Sequence, residues 1–418
     1  LLLVALLAVS AASCRGRSIS YPDPVYSDAG NARSDAADGG HVDATVVVTD
    51  VREDNPAALA DGRCVSGAFK RDGACGCQAS LPDVCDDACT NLSNDDANCG
   101  ACGHACGPTS PCVAGVCSPA PKTVVTAPAG CGKLDLAATA DLLYWADAGH
   151  GTITMLGGGL ETPAVIATGE DAPRSIVARG AVAAWVGGAG KQLRRGGPAL
   201  LPMTLATSDT DIRGAALSAD GLTVYYSSGT DVLRVSVNGG TSTVVARDTH
   251  DGHPAALALD EVRLAFVSDL THVVYVATLV EGQLATCGQF EKDVSCSMLA
   301  RGAPKYLEQI AAMPGQVVWG LETNLVIGTS NPVPNPPDNM SIGAPNGTLT
   351  GLAVTATSGY FSDSGYEAGT GSVYRTAFVS GGAQVPLARN QSAPRAVTVG
   401  ATRVFWSTGD CTIEATNL

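Results

Sequence analysis

Leu142-Leu143-Tyr144-Trp145-Ala146-Asp147-Ala148-Gly149 joins an apolar run to an acidic, glycine-closed turn. The chain shows this arrangement seven times, the first included. The bulky pairs are Tyr144-Trp145, Ala184-Trp185, Tyr225-Tyr226, Ala265-Phe266, Val318-Trp319, Tyr360-Phe361 and Phe405-Trp406. Their second members, the anchors Trp145, Trp185, Tyr226, Phe266, Trp319, Phe361 and Trp406, lie 40, 41, 40, 53, 42 and 45 residues apart. A period of roughly 40 to 45 residues is that of a four-stranded propeller blade. Before each anchor comes a short apolar strand, often after proline, as in Pro173-Arg-Ser-Ile-Val and Pro394-Arg-Ala-Val-Thr. After it come a polar turn and an alternating strand such as Val232-Leu-Arg-Val-Ser-Val237. A Gly-Gly turn and a last strand such as Val244-Val-Ala-Arg247 complete the unit. Alternation with period two and glycine turns is the signature of antiparallel strands.

The last unit is short: only Thr412-Ile-Glu-Ala-Thr416 follows its anchor. Lys122-Thr-Val-Val-Thr126 reads like Thr243-Val-Val-Ala246 and supplies the missing strand. An open edge there is a liability that pairing removes. The expected fold is therefore all-β: a seven-bladed β-propeller over residues 122–418, closed by its N-terminal strand. A small disulfide-rich module and a disordered tether precede it.

Tyr144-Trp-Ala-Asp147, Tyr360-Phe-Ser-Asp363 and Phe405-Trp-Ser-Thr408 resemble the Tyr-Trp-Thr-Asp motif of the LDL-receptor propeller family and its bacterial lipoprotein relatives. The resemblance implies a propeller with the motif on the second strand of each blade. The motif is structural and implies no ligand.

The chain has 418 residues, 15 cysteines and a formal net charge of −15. That charge argues against nucleic acid as a partner, which selects a basic stripe, and against electrostatic docking on anionic lipid. So many cysteines point to an oxidising compartment. Residues 1–13 read as a signal peptide truncated at its start, with an apolar run too short to span a bilayer. Cys14 follows Ala-Ala-Ser and resembles the lipidated cysteine of a bacterial lipobox; the resemblance implies an outer-membrane anchor. Residues 14–60 are rich in Asp, Ala, Gly and Ser and read as a flexible acidic tether.

Ten cysteines, Cys64, Cys75, Cys77, Cys85, Cys89, Cys99, Cys102, Cys106, Cys112 and Cys117, crowd into residues 61–121. Cys99-Gly-Ala-Cys102 near His104 has the spacing of a zinc knuckle. An even set of ten in an exported chain favours five disulfides instead, replacing the missing hydrophobic core. The segment resembles a cysteine-rich repeat of exported myxobacterial proteins. Asn91, Asn94, Asp95, Asp96 and Asn98 offer oxygen ligands for calcium, but their spacing suits turns better. In the propeller, Cys287 and Cys296 are expected to pin the longest interval as a hairpin. Cys131 and Cys411 are expected to meet at the ring seam.

His250-Asp-Gly-His253 is the one clustered histidine pair of the propeller and the speculative site for chemistry. Propeller lyases resembling streptogramin lyase use a histidine near the channel. No other motif names a catalytic residue, and no metal or cofactor is expected. The reading is an exported, lipid-anchored cell-envelope protein at the outer membrane or cell surface, or else secreted or periplasmic. Its propeller binds an envelope protein or glycan without catalysis. A propeller lyase or hydrolase using the histidine loop, and a structural surface-layer component, are the alternatives.

Overall fold

A computed structural model describes residues 65–418 except 67, 72–73, 86, 158–159, 251, 261, 271–272, 289–294, 301–308, 322–323, 330–339, 344–346, 366, 368 and 379–383. The signal segment, Cys14, the tether, Cys64 and Asn331-Pro-Val-Pro-Asn-Pro-Pro-Asp338, whose prolines predict an exposed loop rather than a central strand, lie outside the described residues.

The cysteine-rich segment consists of three small hairpins held by crosslinks. Disulfides join Cys77 to Cys89, Cys85 to Cys102, Cys99 to Cys112 and Cys106 to Cys117, with Cα separations of 5.3–5.7 Å. The oxygen-rich cluster is spent on turns. Asp95 accepts the Ala97 amide, Asn91 accepts the Ser93 amide and Asn98 accepts the Gly103 amide. Asp96 accepts the Cys112 amide with one oxygen and the Arg389 guanidinium with the other, each at 2.6 Å. Asn390 donates to the Pro108 carbonyl. The module is thus docked on the outermost strand of the last blade, Gln384–Gln391.

Six blades follow, each built on four antiparallel strands taken in chain order, the third with a fifth strand added at its outer edge. Their innermost strands are Leu134–Ala138, Arg174–Arg179, Ala215–Leu217, Pro254–Leu259, Ile310–Met313 and Leu349–Val354. The expectation of seven blades, drawn from seven anchors, is corrected here: six blades are complete in themselves. The seventh anchor, Trp406, belongs to a composite seam sheet. Val397–Val399, Arg403–Ser407 and Thr412–Asn417 provide three of its strands, and Lys122–Thr126 pairs antiparallel with Thr412–Asn417 as the fourth. The reason is connectivity: this sheet is not one run of chain but takes its fourth strand from the other end of the domain. The innermost strands of the blades and of the seam sheet neighbour one another in a closed cycle.

The core lies between sheets rather than in one nucleus. Each anchor strand is covered on both faces, so Leu142–Asp147 and Val182–Gly187 are buried almost throughout. Tyr144, Ile153 and Met155 of the first blade pack with Ile176, Ala183 and Trp185 of the second. Val125 and Ile413 of the seam pack with Leu134, Leu143 and Trp145 of the first. All seven anchors are buried. Polar atoms drawn inside bond from sheet to sheet. Ser407 accepts the Ala396 amide of its own sheet and donates to the Leu134 carbonyl of the first blade at 2.9 Å. Asp147 closes the turn after its strand by accepting the Gly149 and His150 amides. Its carboxylate also meets His150 Nδ1 at 2.8 Å.

The longest interval is not a hairpin, as the sequence reading had it. Ala285–Cys287 leaves the fourth blade and pairs parallel with Thr243–Asp248 as a fifth strand of the third. Cys287 is bonded to Cys296, which opens the outermost strand of the fourth blade. The crosslink therefore ties two blades together. Cys131 and Cys411 are bonded across the seam, with a Cα separation of 5.9 Å.

Tyr144 is fully buried, and its hydroxyl meets no partner among the described residues. Burial pushes its pKa up to about 12. Phenylalanine already holds the matching place in Phe405-Trp406. Tyr144→Phe is expected to raise stability by about 1 kcal/mol, because it removes an unsatisfied polar group at constant shape. Urea unfolding of the two proteins checks this.

Candidate functional site: the channel mouth

The innermost strands surround a cavity of about 540 Å³ to which every blade and the seam sheet contribute. One end of it is charged. There Lys133 Nζ lies 3.2 Å from Asp135 Oδ1, and Asp135 Oδ2 accepts the Ser175 amide at 2.9 Å. Arg174 donates to the Ile212 carbonyl at 3.3 Å. Arg213 is paired with Asp269, the residue that follows the anchor strand Arg263–Ser268. Ser227 accepts the Arg213 and Gly214 amides at 2.9 and 3.1 Å, which fixes where this strand enters the channel.

His253 stands at the same end. Its amide donates to Asp269 Oδ1 at 2.7 Å, and its Nδ1 lies 3.5 Å from the same oxygen. Burial works to raise the pKa of Asp269. The His253 amide and the charges of Arg213 and His253 outweigh it, and the carboxyl is held below its usual range. His253 is 44 % exposed through its side chain and so is open to solvent as well as to the carboxylate. His250 does not join it. Its amide caps Asp248, and its Nδ1 lies 3.4 Å from Thr249 Oγ1. The sequence pair is therefore divided: one histidine belongs to the channel mouth and the other to the preceding turn.

Arg194, Arg195 and the clustered cysteines have structural roles. Arg194 pairs with buried Glu170 at 3.4 Å. Arg195 donates to the Val237 and Leu201 carbonyls, clamping the second blade to the third. The sulfurs of Cys99, Cys106 and Cys117 lie within 4.8 Å of one another, but all three are in disulfides, so no thiolate set is free for zinc. His104 is bonded through Nδ1 to the Cys99 carbonyl at 2.6 Å.

The sequence reading named His253 but missed Lys133, Arg174 and Arg213 at the mouth. Their signal was present: with His253 they recur 39 to 41 residues apart, in step with the anchors. A search for catalytic motifs passes over them, because a single arginine before a strand has no motif.

Residues 44–120 match the model of the stigma-specific STIG1-like protein family. No curated protein matches the chain. Among solved structures, virginiamycin B lyase from Staphylococcus aureus is similar at 11 % identity and a TM-score of 0.55, covering 71 % of this chain and 99 % of the lyase. A catalytically inactive histidine-to-alanine form of that lyase with quinupristin gives 10 % identity and a TM-score of 0.53, covering 70 % of this chain and 98 % of the other. Hydrazine synthase from Kuenenia stuttgartiensis gives 11 % and 0.55, covering 70 % and 97 %. These likenesses establish the fold class: an all-β propeller, here preceded by a cysteine-rich module. With six disulfides among the described residues, the chain is suited to an oxidising, extracytoplasmic setting.

Proposed function

We propose that this is an exported, lipid-anchored cell-envelope protein, of the bacterial relatives of the LDL-receptor propellers. Its propeller binds a protein or glycan partner at the channel mouth without transforming it. The observation that carries this reading is the preorganisation of the mouth. Its charged side chains are held by carboxylates, carbonyls and strand ends on a ring stapled at the seam, so little ordering accompanies binding. Loops on a rigid scaffold are where recognition surfaces concentrate.

A second reading has one observation in its favour. His253 and Asp269 form a solvent-accessible imidazole–carboxylate pair at the cavity, as acid–base chemistry requires. That pair suits a propeller lyase or hydrolase.

Crosslinking and affinity capture from the envelope of the source cells separates the two. The binding reading expects one reproducible partner with the intact protein, lost on exchange of the loops around the mouth. A turnover activity abolished by His253→Ala would instead establish the enzyme.

A further inference from the structure

Basic residues stand at the mouth end of five innermost strands. Lys133 directly precedes Leu134–Ala138, and Arg174 opens Arg174–Arg179. Arg213 stands two residues before Ala215–Leu217, His253 directly before Pro254–Leu259 and Arg395 two residues before Val397–Val399. Gln309 and Thr350 occupy the corresponding region of the other two strands. This arc of cations lies in a chain with 25 Lys and Arg against 40 Asp and Glu. The acids facing it are Asp135 and Asp269 in the wall and Asp211 beside Lys191 at 3.1 Å. Three permanent cations of the wall, Lys133, Arg174 and Arg213, therefore stand against its two carboxylates.

We propose that the channel mouth binds an acidic saccharide, with a carboxylate or sulfate of the sugar seated among Arg174, Arg213 and Lys133. This deepens the binding reading above and rests on it. Guanidinium groups suit such oxyanions because their planar forks donate two parallel hydrogen bonds. Lys133 and Arg213 are 53 % and 40 % exposed through their side chains, and so remain reachable while paired. An incoming anion shares these cations with Asp135 and Asp269. Ser175, Gln309 and Thr350 line the same cavity; the Ser175 and Thr350 hydroxyls already donate to the Arg213 and Pro394 carbonyls, and their oxygens can still accept from sugar hydroxyl groups. The cavity, about 540 Å³, is within the range of small-ligand sites and smaller than a protein footprint. The field is felt by a neighbour: the carboxyl of Asp211 is lowered by its hydrogen bond to Lys191 and by that charge, with Arg174 and Arg213 adding to it.

The test is calorimetric titration of the full chain with three probes: trigalacturonate, a kappa-carrageenan tetrasaccharide, which carries sulfate and no carboxylate, and neutral chitotriose. The first two separate carboxylate from sulfate as the source of the anion. At least one acidic probe is expected to bind with a Kd below about 1 mM, weakening as salt is raised. Arg174→Gln combined with Arg213→Gln is expected to weaken it about tenfold. Asp269→Asn is expected to strengthen it, because it removes a competing carboxylate. Far-ultraviolet circular dichroism and the unfolding midpoint show that each variant is folded. Failure of both acidic probes overturns the proposal, as does equal affinity for chitotriose or indifference to the arginine changes. Binding of chitotriose alone overturns the acidic specificity and leaves the binding reading standing. Failure of all three, together with no captured partner, removes both.

Discussion

Replacing Cys131 and Cys411 by serine is expected to cost about 3–5 kcal/mol of stability, seen as a lower urea midpoint than that of the parent protein. The bond closes 280 residues of separation, almost the whole ring. In the chain-entropy treatment a longer loop gives a larger effect, and a loop of this size lies at the upper end of the usual 2–5 kcal/mol. The seam is also where the ring is held by one strand pairing, Lys122–Thr126 against Thr412–Asn417. Without the covalent bond, Thr408–Thr412 and the Ala127–Cys411 contact are left to hold the corner. Removing Cys287 and Cys296, only nine residues apart, is expected to cost less. Equal losses from the two pairs would show that the seam bond does not act through ring closure.

The second large effect is expected at Glu170. Trp185 is fully buried, and its indole donates to Glu170 Oε2 at 3.0 Å, while Arg194 Nε lies 3.4 Å from the other oxygen. Glu170→Ala leaves a buried indole N–H without its acceptor and a three-quarters buried arginine without its counter-charge. Breaking one partner of a buried pair typically costs about 3–5 kcal/mol. The fold holds its own control. Fifteen residues before Trp406 stands Gln391, which accepts that indole at 3.0 Å through an uncharged amide. Glu170→Gln is therefore expected to keep the tryptophan bond and lose only the pairing with Arg194, about 1–3 kcal/mol. Urea midpoints for the two variants rank the effects. A Gln variant as unstable as the Ala variant would mean that the charge, not the indole bond, holds this corner.

The architecture was legible because a propeller repeats. Seven bulky pairs in register report seven buried second strands, and no local propensity needs to be right for the period to show. What escaped was information that exists only between repeats. Ala285–Cys287 has no sequence mark telling it to pair with the third blade instead of folding back on the fourth. The pairing is parallel and skips a whole antiparallel unit. The crosslinks within the cysteine-rich module are interleaved, Cys99 bonding beyond Cys106 and Cys106 beyond Cys112, and spacing alone does not order them. At the mouth, His250 and His253 drew attention as neighbours in sequence. The ring instead places His253 beside Asp269 and Arg213, residues brought there by separate strand ends. A pattern of single cations, each at the entry of its own strand, becomes a site only when the strands are arranged in a circle.

The composite seam also sets an order of events. Lys122–Thr126 is made early and its partner, Thr412–Asn417, about 290 residues later. A chain emerging N-terminus first can build the cysteine-rich module and stack its blades one after another, but the first strand of the propeller must wait with an unpaired edge until the last arrives. Closure therefore reports that the whole domain has been delivered. Formation of the Cys131–Cys411 bond then locks in that report, so a truncated product would be left open, unstapled and recognisable to the proteases that survey unfinished chains.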